Sequence, residues 1–178
     1  NSVVVGNTSV NSIGGQVGWT TLSDGRFKKN IRNDEVIGLE FITGLHPVTY
    51  NYDVHAKENW MEENFGERDD AEWEGKYHIE SMRFSGFIAQ DVEALSKSLG
   101  YEFSGVDAPK NSKDIYGLRY ADFVVPIVKS VQELNDLLIE KNNEIASLKK
   151  FNFELQNQLL ENTKAIKELQ EILKSRKD

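Results

Sequence analysis

The chain of 178 residues has no cysteine, three prolines and three histidines. Without cysteine there is no disulfide framework, no thiolate nucleophile and no sulfur-based metal site. Cations are also scarce: 21 Lys and Arg face 29 Asp and Glu, a net charge of −8 that argues against general nucleic-acid binding through phosphate contacts. No apolar run is long enough to span a bilayer, and the first residues lack the charged start and apolar stretch of a secretion signal, so no membrane partner is expected. The histidines His46, His55 and His78 stand nine and twenty-three residues apart, a spacing that matches no usual ligand pattern. They read as surface or packing side chains, and neither a metal nor a cofactor is expected.

Residues 1–22 are almost without charge. Val3, Val4, Val5, Val10, Ile13, Val17 and Trp19 are set between Gly, Asn and Ser turn signals, which predicts short strands joined by tight turns. Such a segment buries no core alone and reads as the end of a β-structured shaft whose strands pair with other chains. Asn1 reads as a point within a longer chain.

The chemistry concentrates in Ser23-Asp24-Gly25-Arg26-Phe27-Lys28-Lys29-Asn30-Ile31, where a serine precedes an acidic turn and a lysine follows five residues later. A serine hydroxyl is a poor nucleophile until a base removes its proton. A lysine performs that task only from its neutral form, which burial and neighbouring cations favour. Arg26, Lys29 and Arg32 supply the cations, and Asp24 opposes them if it pairs with Lys28. The bland alternative is a Ser-Asp helix cap followed by a solvated lysine.

Beyond this stretch the pattern becomes that of a small mixed body. Asn33 or Asp34 is placed to cap a short helix carrying Ile37, Leu39, Phe41 and Ile42 and ended by Gly44, and residues 47–52 then alternate like a strand. Residues 57–80 hold nine acidic and three basic side chains, net −6, interleaved with Trp60, Phe65, Trp73 and Tyr77. The charges alone read as a solvated insertion, but a disordered acidic loop seldom carries four large rings. A protruding hairpin whose rings pack on the shaft or on a neighbouring subunit is expected. Residues 83–89 read as a strand running into a helix that begins at Gln90 and stops at Gly100, and residues 101–119 as irregular, with a loop from 107 to 112.

The last element has a 3.5-residue period. With Ile127 at d, the a positions are Val131, Leu138, Ile145, Asn152, Leu159, Ile166 and Leu173, and the further d positions are Leu134, Lys141, Leu148, Leu155, Asn162, Leu169 and Arg176. Six of seven a residues and five of eight d residues are apolar, which predicts a left-handed coiled coil. Pro126 is tolerated in the first helical turn, and Asn152, Lys141 and Asn162 weaken the seam while fixing its register. The choice between two strands and three stays open on this pattern. The fold class is therefore α+β: a shaft remnant over 1–22, a small mixed body over 23–120, and a coiled-coil helix over 121–178.

Four blocks in one order, Ser23-Asp24 with Arg26-Phe27-Lys28 and Ile31, then residues 38–42, then 45–52, then Gly86-Phe87-Ile88-Ala89-Gln90-Asp91-Val92, resemble the intramolecular chaperone of endosialidase tail spikes and tail fibres, also called peptidase S74. The resemblance covers the chain from Ser23 into the C-terminal helix. It implies a C-terminal domain that assembles phage tail fibres or similar surface fibres as parallel homotrimers, helps their β-shaft fold, and cuts itself off. It further implies Ser23 as nucleophile and Lys28 as the partner of a Ser-Lys dyad, with Leu22-Ser23 as the scissile bond. The host cytoplasm is then the place of assembly, and the virion tail or a bacterial surface the home of the parent fibre. Gln90 is left with two readings, a donor to a developing oxyanion or a cap on its own helix. The alternative function is a trimerisation module that is never cleaved and stays on the mature fibre.

Overall fold

The computed structural model describes residues 13–66 and 74–176, and they fall into two compact units, 1–129 and 130–178. Val3 to Val10, Arg68 and Trp73, which bear on the shaft and on the acidic insertion, lie outside the described residues. Among the described residues, 13–22 form no strand in the single chain.

In the first unit, helix α1 spans Leu39–Gly44, strand β1 Val48–Tyr50, helix α2 Val54–Phe65, strand β2 Phe84–Gly86 and helix α3 Ala89–Ser98. Strands β3 (Val106–Asp107) and β4 (Gly117–Leu118) follow, and helix α4 runs Val124–Ser175. Strand β1 pairs antiparallel with β2, Val48 opposite Gly86 and Tyr50 opposite Phe84, and β3 pairs antiparallel with β4. Arg83 fastens the first ladder by donating to Asn51 Oδ1 at 2.9 Å and Thr49 Oγ1 at 2.7 Å.

The core is assembled from four distant segments. Phe41 of α1, Val92 of α3, Phe103 after it and Phe123 before α4 are all buried. Their rings meet at 4.8 Å for both Phe41–Phe103 and Phe103–Phe123, and Phe87 stacks on Phe123 at 5.3 Å. Such aromatic pairs add about 0.5–1.5 kcal/mol beyond the area they bury. Helix α3 ends in Gly100 at φ +64°, where the left-handed backbone favours glycine.

Three elements differ from the sequence-based expectation. Neither Asn33 nor Asp34 caps α1, whose N-cap is Gly38 with no side-chain bond, because the capping side chains lie several residues upstream of where packing of Phe41 starts the helix. The first part of the acidic insertion is helix rather than hairpin. Asp53 caps α2 by accepting from Ala56 N at 2.7 Å, and the Glu80 carboxylate accepts from Val54 N at 2.7 Å and His55 N at 3.2 Å, so three of the orphan donors of the first turn are satisfied. Residues 101–119, expected to be irregular, contain the short β3–β4 ladder.

The second unit is helical throughout its described length. All eleven apolar seam residues, from Ile127 to Leu173, are between 44% and 68% exposed in the single chain. Leu137, Phe151 and Ile172, one step round the helix from the d row, are exposed as well and widen the apolar face.

Candidate functional site

The arm that precedes the body holds the predicted dyad in contact. Lys28 Nζ donates to Ser23 Oγ at 2.8 Å. The contact follows from local structure: Gly25–Phe27 makes one 3-10 turn, closed by Phe27 N to Asp24 O and Lys28 N to Gly25 O at 3.1 Å each, which folds Lys28 back toward Ser23. Asn30 then takes φ 52°, a conformation that asparagine tolerates better than most residues, and redirects the chain.

Asp24 does not compete for Lys28. Its carboxylate accepts from Arg26 N at 2.9 Å and binds the Arg26 guanidinium in two-pronged fashion, at 3.1 and 3.0 Å from Nε and within 2.6 Å of Nη2. The guanidinium first, and the Arg26 backbone N–H second, hold the Asp24 carboxyl below the usual carboxylate range. The sequence left open whether Asp24 or Ser23 would meet the lysine, and the turn directs Asp24 to Arg26. Ser23 and Lys28 are exposed, as are their apolar neighbours Leu22 at 77%, Phe27 at 70% and Ile31 at 70%.

Gln90 is the second residue of α3 and exposed, while the N-cap position belongs to Ile88, with no side-chain cap bond. The capping role is therefore not the one it plays. Gln90 lines an open groove of about 710 Å³ with Tyr50, Tyr52, Trp60, Phe87, Ile115, Tyr116 and Tyr120. Sequence reasoning missed this collection, whose members come from five separate segments. The one signal was the excess of aromatic residues over what a core this small can bury. Within the groove Tyr50 and Tyr52 meet edge to face at 5.3 Å, and the hydrogen bond between their hydroxyls, with burial second, pushes Tyr50 up to about 12. Tyr120 accepts from Phe87 N at 3.1 Å.

With both the dyad contact and the Gly86-to-Val92 turn in place, the comparison with family models becomes informative. The model described as "Chaperone of endosialidase", Peptidase_S74, matches residues 23–101. Over residues 23–101 the chain is similar to that family. The match begins on Ser23 and takes in Lys28, the α1–β1 region and Gln90, and the similarity points to a chaperone role in broad terms. No curated protein and no solved structure matches the chain.

His55 stacks on Tyr77 at 3.9 Å and its Nδ1 lies 2.9 Å from Glu80 Oε1. Asp53, His55 and Glu80 bring three ligand-type atoms within 4.8 Å of one another, while Asp53 Oδ1 and Glu80 Oε1 accept from the first amides of α2. Glu58 ties down the stem of the acidic insertion, with Lys76 Nζ at 2.9 Å from one oxygen and Tyr77 donating to the other at 2.9 Å. Among the described residues no helix is long and apolar enough to cross a membrane.

Proposed function

We propose that the chain is an intramolecular chaperone that aligns three copies of a fibre through its coiled-coil helix and then releases itself by cutting Leu22-Ser23. The observation that carries the reading is the 2.8 Å contact between Lys28 Nζ and Ser23 Oγ at the start of an endosialidase-chaperone domain. The exposed apolar seam of α4 supports assembly, because so much leucine and isoleucine facing water favours association with further copies. Three chains held in register at one end raise the effective concentration for β-pairing at the other, which otherwise proceeds slowly or out of register.

Chemically, neutral Lys28 accepts the Ser23 Oγ proton through the short contact as Oγ attacks the Leu22 carbonyl carbon. The new C–O bond replaces the C–N bond to Ser23, and the proton passes to the departing Ser23 nitrogen. Water then opens the ester, leaving a Leu22 carboxylate on the shaft and a free Ser23 amine and hydroxyl on the chaperone. Gln90 is the candidate amide donor to the oxyanion. Cutting removes the folding aid and leaves the shaft without a route back to its separated chains. Assembly in the host cytoplasm and a fibre in a virion tail or on a bacterial surface fit this sequence of events.

Intact masses of wild type, Ser23→Ala and Lys28→Ala after denaturation test the proposal. Loss of residues 1–22 from the wild type alone is the expected result. If all three stay full length while light scattering gives trimers, the domain is a retained trimerisation module and the self-cleavage is refuted.

A further inference from the structure

The aromatic groove and the arm have complementary properties, and in the single chain no residue of the arm lines the groove. Ser-Lys pairs act when shielded from water, yet Ser23 and Lys28 are exposed here and Phe27 and Ile31 present 70% of their surface. Among the described residues, the hydrogen bonds and ring contacts of residues 22–31 run within the arm. The groove is of ligand-pocket size, predominantly aromatic and apolar in its lining, and includes Gln90 among its lining residues. Beside it, Lys113 Nζ stands 5.5 Å over the Phe65 ring and links the β3–β4 loop to the end of α2.

Charge completes the match. Residues 13–32 carry Arg26, Lys28, Lys29 and Arg32 against Asp24, net +3, whereas the charged residue in the groove's lining is the acidic Asp114 and the described residues from 36 to 123 carry thirteen acidic and seven basic side chains, net −6. We propose that the groove receives the arm of a second copy of this chain, with Phe27 seated among Tyr52, Trp60, Ile115 and Tyr120. Further copies are brought alongside by the exposed seam of α4. Seating Phe27 covers the Ser23–Lys28 pair and carries it toward Gln90 of the neighbouring body. The purpose of the docking rests on the self-cleavage proposed above, but its detection does not.

The test uses two full-length chains, both Ser23→Ala so that the arm stays whole. One carries p-benzoylphenylalanine in place of Phe27, which keeps a ring at that position, and the other is labelled with nitrogen-15. The two are refolded together, irradiated, and their cross-linked peptides identified by mass. Labelled peptides from residues 50–60 or 109–120 are the expected product, and Tyr52→Ala on the labelled chain should lower their yield at least ten-fold. Cross-links only to the unlabelled chain's own groove, to residues outside the groove, or to labelled chains with a yield indifferent to Tyr52→Ala would each overturn the docking. A wild type that stays full length refutes self-cleavage separately and leaves this readout unaffected.

Discussion

Gly86 sits where the body has no room for a side chain. A Cβ there would lie 2.3 Å from Tyr120 Oη and 3.3 Å from Tyr50 Cε1. Relief to ordinary contact requires the Tyr120 hydroxyl to retreat by about 1 Å, while its ring is stacked on Phe87 at 6.2 Å and on Phe123 at 5.9 Å. Overpacking of this kind costs about 1–3 kcal/mol, the lost bond from Phe87 N adds about 1 kcal/mol, and the reduced freedom of the unfolded chain returns about 0.5–1 kcal/mol. Gly86→Ala should therefore destabilise the body by about 2 kcal/mol. With a urea slope of about 2 kcal/mol/M that lowers the unfolding midpoint by about 1 M, read by tryptophan fluorescence at fixed protein concentration. Tyr120→Phe removes the clashing atom and should cost about 1 kcal/mol alone, yet in the double variant it should return at least about 1 kcal/mol of the Gly86→Ala loss. A Gly86→Ala cost below about 0.5 kcal/mol, or strict additivity in the double variant, refutes this reasoning.

Phe41→Ala should cost about 3–5 kcal/mol, because its fully buried ring touches Tyr101, Phe103 and Phe123, and loss of the near-ultraviolet dichroism of the body is the measurement. Arg26→Ala releases Asp24 to compete for Lys28 and should slow the proposed cleavage several-fold, with Asp24→Asn added on the same chain restoring the rate; mass spectrometry over time follows both. The hydrogen bond from His55 first, with the amides of Val54 and His55 also contributing, holds the Glu80 carboxyl below the usual range. A carboxyl lowered on folding contributes stability above its unfolded value of about pH 4.3 and loses it as pH falls through the folded value. The stability difference between wild type and Glu80→Gln should therefore be flat above about pH 4.3 and shrink below it, as urea midpoints across pH will report.

The features readable in the sequence alone were those set by neighbours along the chain. The 3.5-residue period from Ile127 to Leu173 reports helix α4, and the five-residue spacing of Ser23 and Lys28 lies within reach of one turn, which the structure closes at 2.8 Å. Gly100 likewise ends α3 through its own backbone freedom. The tertiary structure decided what depends on distant residues. Helix α2 formed where a hairpin was expected because Glu80, some twenty-five residues away, supplies acceptors for its first amides. Asp24 turned to Arg26, a choice between two nearby cations that spacing left undetermined. The groove brings Tyr50, Trp60, Gln90, Ile115 and Tyr120 together from segments that share no periodicity, so only the packing of α2, α3 and the β3–β4 loop created it. Local pattern determines helices and turns because their hydrogen bonds close within a few residues, and a binding surface waits on the three-dimensional meeting of side chains that no local bond foretells.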